Sequence, residues 1–227
     1  MKKNFLVSGG TGGIGTPLCR QLSAEGYRPI IGYHKSVDAA QALAEELDGK
    51  AMNLDLADPG EIDRCVSELK QEETNLSGVV FAASPPPSLG PFGRISDEEM
   101  NRQWAVNVAG PRKLLGELLR HFFRKEQSGS VIAILTAAMG DTEQPATGSM
   151  GAYVISKFGL KGVLVAAKAE FSWLKTGIVY PGFTETPMLK AFDKRYLDKV
   201  RAEQPNGGFS NPDDVAAEIT ELIKALA

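Results

Sequence analysis

The chain predicts a single α/β domain built on a doubly wound parallel sheet. Three observations carry that expectation. Short apolar strand patterns alternate with helical patterns from end to end, which calls for parallel strands covered by helices on both faces. A glycine-rich turn, Ser8-Gly9-Gly10-Thr11-Gly12-Gly13-Ile14-Gly15, joins the first strand to the first helix. A chain of 227 residues, 43% hydrophobic and 23% charged, suits one globular domain and excludes disordered, collagenous and coiled-coil classes.

Asn4–Ser8 reads as a short buried strand, and Ile14–Glu25 as a helix with Leu18 and Leu22 four apart. Pro29–Tyr33 is a strand, Val37–Leu47 a helix and Lys50–Leu54 a strand. Pro59–Glu72 is a helix with Asp58 as its cap and proline at its first position. Gly78–Ala83 is the fourth strand. A long helix over Ser96–Arg124 follows, opened by the capping pattern Ser96-Asp97-Glu98-Glu99. Ser130–Thr136 is the fifth strand, Gly151–Leu174 a long helix and Gly177–Tyr180 the sixth strand. An irregular stretch follows Pro181-Gly182, and Asn211-Pro212-Asp213-Asp214 caps a last helix running to the end of the chain. Right-handed crossovers make the sheet doubly wound, with ligands expected beyond the carboxyl ends of its strands. No repeat or linker divides residues 1–227, and Pro85-Pro86-Pro87 reads as a rigid loop at the edge of the site.

Charge removes several function classes. The 25 Lys+Arg and 28 Asp+Glu leave −3, which gives no basic surface for nucleic acid or an anionic membrane. Lys2 and Lys3 imitate the start of a signal peptide, but the apolar run ends at Ser8, short of the roughly 7–15 residues required. No stretch approaches the roughly 18 apolar residues of a membrane span. Cys19 and Cys65 lack metal-binding spacing, and His34 and His121 add too little for a zinc centre. A reduced, cytoplasmic protein without a metal is expected.

The glycine cluster can be read as Gly10-x-Gly12-x-x-Gly15 or as Gly9-x-x-x-Gly13-x-Gly15. Either spacing lets a backbone without Cβ atoms approach a pyrophosphate, which the following helix meets with free N–H groups and the positive end of its dipole. The second strand ends Tyr33-His34-Lys35-Ser36. An NAD-binding chain carries an acid about 20 residues past the last glycine. Here Lys35 and Ser36 hold that place, and Asp38 falls in the next helix. A lysine and a serine attract a 2′-phosphate, so NADP(H) is expected over NAD(H); the competing reading makes Lys35 an ordinary solvated charge. Further on, Tyr153 and Lys157 stand four apart on one helix face. A tyrosine titrates near 10, and an adjacent ammonium is expected to lower that value.

With these residues in place the chain resembles the short-chain dehydrogenase/reductase family. The matching residues are Gly9-x-x-x-Gly13-Ile14-Gly15, Asp55, Asn107, Tyr153-x-x-x-Lys157, Pro181-Gly182-x-x-x-Thr186-x-Met188 and Asn211-Pro212-x-Asp214-Val215-Ala216. The resemblance covers nearly the whole chain and implies a dinucleotide-binding (Rossmann) domain with hydride chemistry. It implies that Tyr153 is the general acid and that Lys157 holds the nicotinamide ribose. Asn107 keeps a relay water. Asp55 and Leu56 meet the adenine, while Thr11, Ile14 and Ala82 join the cofactor site. Pro181, Gly182 and Thr186 fix the carboxamide. Three departures stand out. The family's active serine aligns with Thr136 in one register and with Ala137 in another, with Thr142 and Ser149 in reserve. The family's Asn-Asn-Ala-Gly stretch is Phe81-Ala82-Ala83-Ser84. The family's usual final strand, a seventh, is missing, which leaves a homodimer through the long helices as the expected assembly.

The substrate pocket is expected from Pro85–Phe92, Met139–Ser149 and the segment after Gly182, with Leu89, Phe92, Met139, Met188, Leu189 and Phe192 as apolar lining. Lys190, Lys194 and Arg195 add charge to that segment. Arg120, Arg124 and Lys125 end the long helix, where they either answer its dipole or receive an acidic acyl carrier protein or coenzyme A phosphate. The leading expectation is an NADPH-dependent reductase of an apolar ketone or 3-oxoacyl thioester, similar to 3-oxoacyl-[acyl-carrier-protein] reductases. An NAD-dependent alcohol dehydrogenase and a non-catalytic dinucleotide-binding protein are the alternatives.

Overall fold

The computed structural model describes residues 2–203 and 208–226. The end of the expected last helix, Ala227, and residues 204–207 of the segment after Gly182 lie outside the described residues. Six parallel strands form one sheet in the order β3-β2-β1-β4-β5-β6. They are β1 Asn4–Ser8, β2 Arg28–Tyr33, β3 Lys50–Asn53, β4 Leu76–Phe81, β5 Ser130–Ile134 and β6 Lys175–Val179. The helices are α1 Gly15–Ala24, α2 Val37–Glu46, α3 Pro59–Gln71, α4 over residues 97–126, α5 Gly151–Glu170, α6 Lys194–Glu203 and α7 Pro212–Leu226.

Period-two alternation divides the core between the two faces. Leu6, Ile30, Val79 and Val131 point into one cluster, closed by Leu114 and Leu118 of α4 and Leu160 of α5. Their neighbours Val7, Ile31, Val80 and Ile132 point into the other, closed by Leu18 and Leu22 of α1 and Ile219 of α7. All carboxyl ends of the strands therefore open on one edge, and the strand order reverses between β1 and β4. That crevice is where an open parallel sheet takes a ligand.

Several boundaries differ from the expected ones for local reasons. Strand β5 stops at Ile134 because Thr136 turns to cap a short 3₁₀ segment, Ala137–Met139, accepting from Ala138 N at 3.2 Å. Helix α5 stops at Glu170, and a turn from Phe171 to Leu174 feeds β6 two residues earlier than expected. Helix α4 contains two wide π turns, Ala105–Ala109 and Leu119–Phe123. The first stands directly before Pro111, which has no N–H to offer the Asn107 carbonyl one turn back.

The largest departure is the stretch after Gly182, whose described residues include regular structure. It contains the 3₁₀ segment Pro187–Ala191 and helix α6, capped by Asp193 through Arg195 N at 2.8 Å. Its apolar positions, Tyr196, Leu197 and Val200, are few among charges. Instead it carries a small aromatic core: Phe183 packs on Phe192 and Phe209 with ring centroids 5.3 Å apart, and Phe192 stacks on Tyr196 at 5.8 Å. Among the described residues no helix is long and apolar enough to cross a membrane.

Candidate active site

The glycine turn lies in the crevice between β1 and β4. Gly9 has φ +67°, and a Cβ there would stand 2.8 Å from the Ala83 Cα. Gly13 faces Thr186, whose Cβ would lie 2.6 Å from any added methyl group. The segment after β6 thus packs directly on the glycine turn and brings Thr186 to Gly13. Helix α1 starts after Ile14 with no side-chain cap, so its first N–H groups face the turn without a side-chain acceptor. Thr11 stands within the turn, and the Gly12 N–H closes it onto the Gly9 carbonyl at 2.9 Å.

Ser8, which sequence reasoning passed over, braces this crevice. It is buried; its hydroxyl donates to the Val80 carbonyl at 3.3 Å and accepts from the N–H groups of Ala82 and Ala83 at 3.1 and 3.3 Å. Ala82 is thereby held at the mouth of the glycine turn although the Asn-Asn-Ala-Gly stretch is absent. The available signal was a serine ending a strand beside Phe81-Ala82-Ala83.

Tyr153, Lys157 and Thr136 converge. Backbone bonds continue past the ends of β5 and β6, with Leu135 N on Val179 O and Ala137 N on Pro181 O, each at 2.9 Å. This zip aligns Thr136 with Pro181 and Gly182. The Thr136 hydroxyl stands near enough to the Tyr153 phenol of α5 to favour its ionised form, whereas Ala137 has no hydroxyl to offer. Thr142 and Ser149 are both exposed in the loop before α5. Tyr153 is buried, and burial pushes its phenol up to about 12; Thr136 opposes that only in part. Lys157 is also buried, and burial brings its amine down to about 7. Its Nζ lies 5.5 Å from the Tyr153 ring centroid and donates to the Ile134 carbonyl at 2.9 Å. The expected lowering of the tyrosine by the lysine is therefore corrected. Both groups are desolvated, and desolvation disfavours the charged form of each.

Asn107 sits in the first π turn of α4, fully buried. Its Nδ2 donates to Gln103 Oε1 and to Ser156 Oγ, each at 3.0 Å. Its Oδ1 is buried with no protein donor. Ser156, one residue before Lys157, donates in turn to the Tyr153 carbonyl at 2.7 Å.

At the far end of the crevice, Lys35 and Ser36 are exposed where β2 leads into α2. Asp38 lies in the first turn of α2, as expected. Asp55 pairs with His34 at 3.3 Å and accepts from Ala57 N at 2.9 Å. Leu56 has its side chain buried in the core, and its carbonyl faces Gly110 of α4. Among the expected pocket residues, Met139 is core and Phe192 packs partly against it, while Leu89 and Phe92 are exposed, Phe92 at 75%.

The short chain dehydrogenase family model matches residues 3–197. The chain is 26% identical over 226 residues to the 3-oxoacyl-[acyl-carrier-protein] reductase FabG of Escherichia coli (strain K12), covering 97% of this chain and 89% of that one. It is 25% identical over 234 residues to the reductase of the same name from Staphylococcus aureus (strain Mu50), covering 100% and 93%. Among solved structures, the 3-ketoacyl-(acyl-carrier-protein) reductase from Brucella melitensis complexed with NADH has the same fold, with TM-score 0.84, 22% identity and coverage of 97% and 90%. The angucycline C-6 ketoreductase LanV with bound NADP superposes with TM-score 0.83, 21% identity and coverage of 97% and 88%. The strand order, the glycine turn and the Tyr153–Lys157 helix agree with a family match over most of the sequence, and the chain belongs to the short-chain dehydrogenase/reductase family of enzymes.

Proposed function

We propose that this enzyme is an NADPH-dependent carbonyl reductase acting on an apolar ketone or a 3-oxoacyl thioester. The observation that carries the reading is the Thr136–Tyr153 hydroxyl pair with the Lys157 amine one helical turn on. With its phenol pushed up to about 12, Tyr153 keeps its proton at neutral pH and can serve as a donor. Thr136 and Tyr153 together hold a carbonyl oxygen and stabilise the negative charge that grows on it. A bound reduced nicotinamide supplies the hydride. Tyr153 then gives its proton to the alkoxide, and Lys157, brought down to about 7, is poised to return one.

The residues present fit a nicotinamide dinucleotide. Gly9 and Gly13 form a turn that a Cβ would obstruct, and the uncapped start of α1 suits a pyrophosphate. Gly9, Thr11, Gly13, Ile14 and Gly15 would hold that group, with Ala82 beside it, Pro181, Gly182 and Thr186 toward the carboxamide and Asp55 toward the adenosine. Lys35 and Ser36 are exposed where a 2′-phosphate would arrive, and the nearby acid, Asp55, is engaged with His34. NADP(H) is the proposed partner, with NAD(H) the alternative. The names of the curated relatives support an acyl carrier protein as donor of the thioester, with exposed Arg120, Arg124 and Lys125 as its landing charges. Exposed Trp104, Ile155, Phe158 and Val165 on α4 and α5 support a homodimer through the long helices. NADPH oxidation followed with acetoacetyl thioesters and simple ketones tests the activity, and loss of turnover in Tyr153→Phe tests the mechanism.

A further inference from the structure

A carboxylate stands at the end of the crevice assigned above to the adenosine, and one side chain holds it. Strand β2 runs beside the glycine turn: Ser8 pairs with Gly32, and Gly10 N donates to the Gly32 carbonyl at 2.9 Å. On its other side Tyr33 pairs with Asn53, and Leu54 N donates to the Tyr33 carbonyl at 2.6 Å. His34 and Asp55 follow directly and leave the sheet side by side. His34 Nε2 lies 3.3 Å from Asp55 Oδ2, while Asp55 Oδ1 accepts from Ala57 N at 2.9 Å. An imidazole nitrogen this close to a carboxylate oxygen carries its hydrogen, since the carboxylate only accepts. Both oxygens of Asp55 therefore have a partner. The Asp55 side chain is 24% exposed and the His34 ring 53%.

Lys35 and Ser36 come next in the chain, at the start of α2. Neighbouring strands lie about 4.8 Å apart, so the Asp55 charge falls within a distance of order the Debye length, about 8 Å at physiological salt, from the Lys35 backbone. A bare carboxylate at that range repels a phosphate. Asp38, the other acid nearby, is exposed to solvent in the first turn of α2, where the helix dipole offsets it. We propose that His34 is a specificity-determining residue for the cofactor: by holding the Asp55 carboxylate it screens that charge from the 2′-phosphate of NADP(H). The proposal rests on the NADP(H) reading above and adds a second part to it. Lys35 supplies the attraction, and His34 removes the repulsion. NAD(H) carries a hydroxyl in place of that phosphate, so its affinity is nearly indifferent to His34.

The test is binding of NADPH and of NADH to the full chain, followed by the fluorescence of the reduced nicotinamide. The readout is the ratio of the NADH to the NADPH dissociation constant, in which every contact shared by the two cofactors cancels. His34→Leu lowers this ratio about tenfold, with NADH itself within about twofold of the parent. Asp55→Asn added to His34→Leu brings the ratio back to within about threefold of the parent, because the charge to be screened is gone. Raising salt from about 0.05 to about 0.5 M shrinks the His34→Leu effect to less than about threefold. A His34→Leu ratio equal to the parent's overturns the proposal, and so does a fall that neither Asp55→Asn nor salt reverses. Asp55→Asn alone keeps the ratio or raises it. A tenfold fall there overturns the proposal even if His34→Leu folds poorly. A parent that binds NADH more tightly than NADPH overturns the NADP(H) reading alone, since the fall in the ratio on losing His34 still decides the role of His34.

Discussion

The Lys157 amine donates a 2.9 Å hydrogen bond to the carbonyl of Ile134, the last residue of β5, while burial brings it down to about 7. A cation-forming group is thus stored in the core beside Tyr153. This fixes a pH dependence of stability. Between about 7 and the ordinary lysine value of 10.5, the unfolded chain binds a proton that the folded chain has released. Stability therefore rises with pH across that window, by up to about 1.4 kcal/mol per pH unit. Tyr153 acts above it: its folded value of about 12 exceeds the ordinary 10, so its contribution is complete below 10 and is lost as pH climbs through 12. Urea denaturation between pH 7 and 9.5 should show the rise, and Lys157→Met should flatten it.

Gly13 tests the contact between the glycine turn and the segment after β6. An added methyl group meets Thr186 at 2.6 Å on both Cβ and Cγ2. Gly13→Ala should cost about 1–3 kcal/mol of stability from overpacking. Thr186→Gly in the same chain removes both clashing atoms, so the two substitutions should be non-additive by at least about 0.5 kcal/mol. Thermal melts of the parent, both single variants and the pair measure that coupling.

Lys35 tests cofactor choice. Its side chain makes no hydrogen bond or ion pair among the described residues, so its removal disturbs little else. Lys35→Ala should raise the NADPH dissociation constant about tenfold, or about 1.4 kcal/mol, and leave NADH within about twofold. Equal weakening of both cofactors would assign Lys35 to general electrostatics and remove the argument for a 2′-phosphate.

The long helices test assembly. Phe158 and Trp104 expose 49% and 44% of their surface on α5 and α4. Phe158→Glu should convert a dimer to a monomer in sedimentation, because a charge in a buried apolar interface has no partner. A parent chain that sediments as a monomer would contradict the dimer.

What the sequence made legible follows from periodicity. Strands such as Ser130–Ile134 are buried at every position and apolar after Ser130 because both faces are covered, and the glycine spacing marks a turn no other residue could form at Gly9. The four-residue step from Tyr153 to Lys157 survives intact in α5. Three things were not legible. The direction of the Tyr153 shift depends on how much water reaches the phenol, which spacing does not encode. Leu56 matched a cofactor position, yet the close approach of Gly110 turns its side chain into the core. Helix α6 is stabilised by the aromatic contacts of Phe183, Phe192 and Tyr196 across loops, and a window on α6 alone sees mainly charge.

The central claim is that Tyr153, protonated at neutral pH and paired with Thr136, delivers the proton in carbonyl reduction. The most direct test compares single-turnover rates of NADPH oxidation with acetoacetyl-CoA in the parent and in Tyr153→Phe. The mechanism requires the variant to lose about 10²–10⁴-fold in rate, the range expected for a general acid, while binding NADPH within about twofold of the parent. A Tyr153→Phe enzyme that turns over at the parent rate would contradict it.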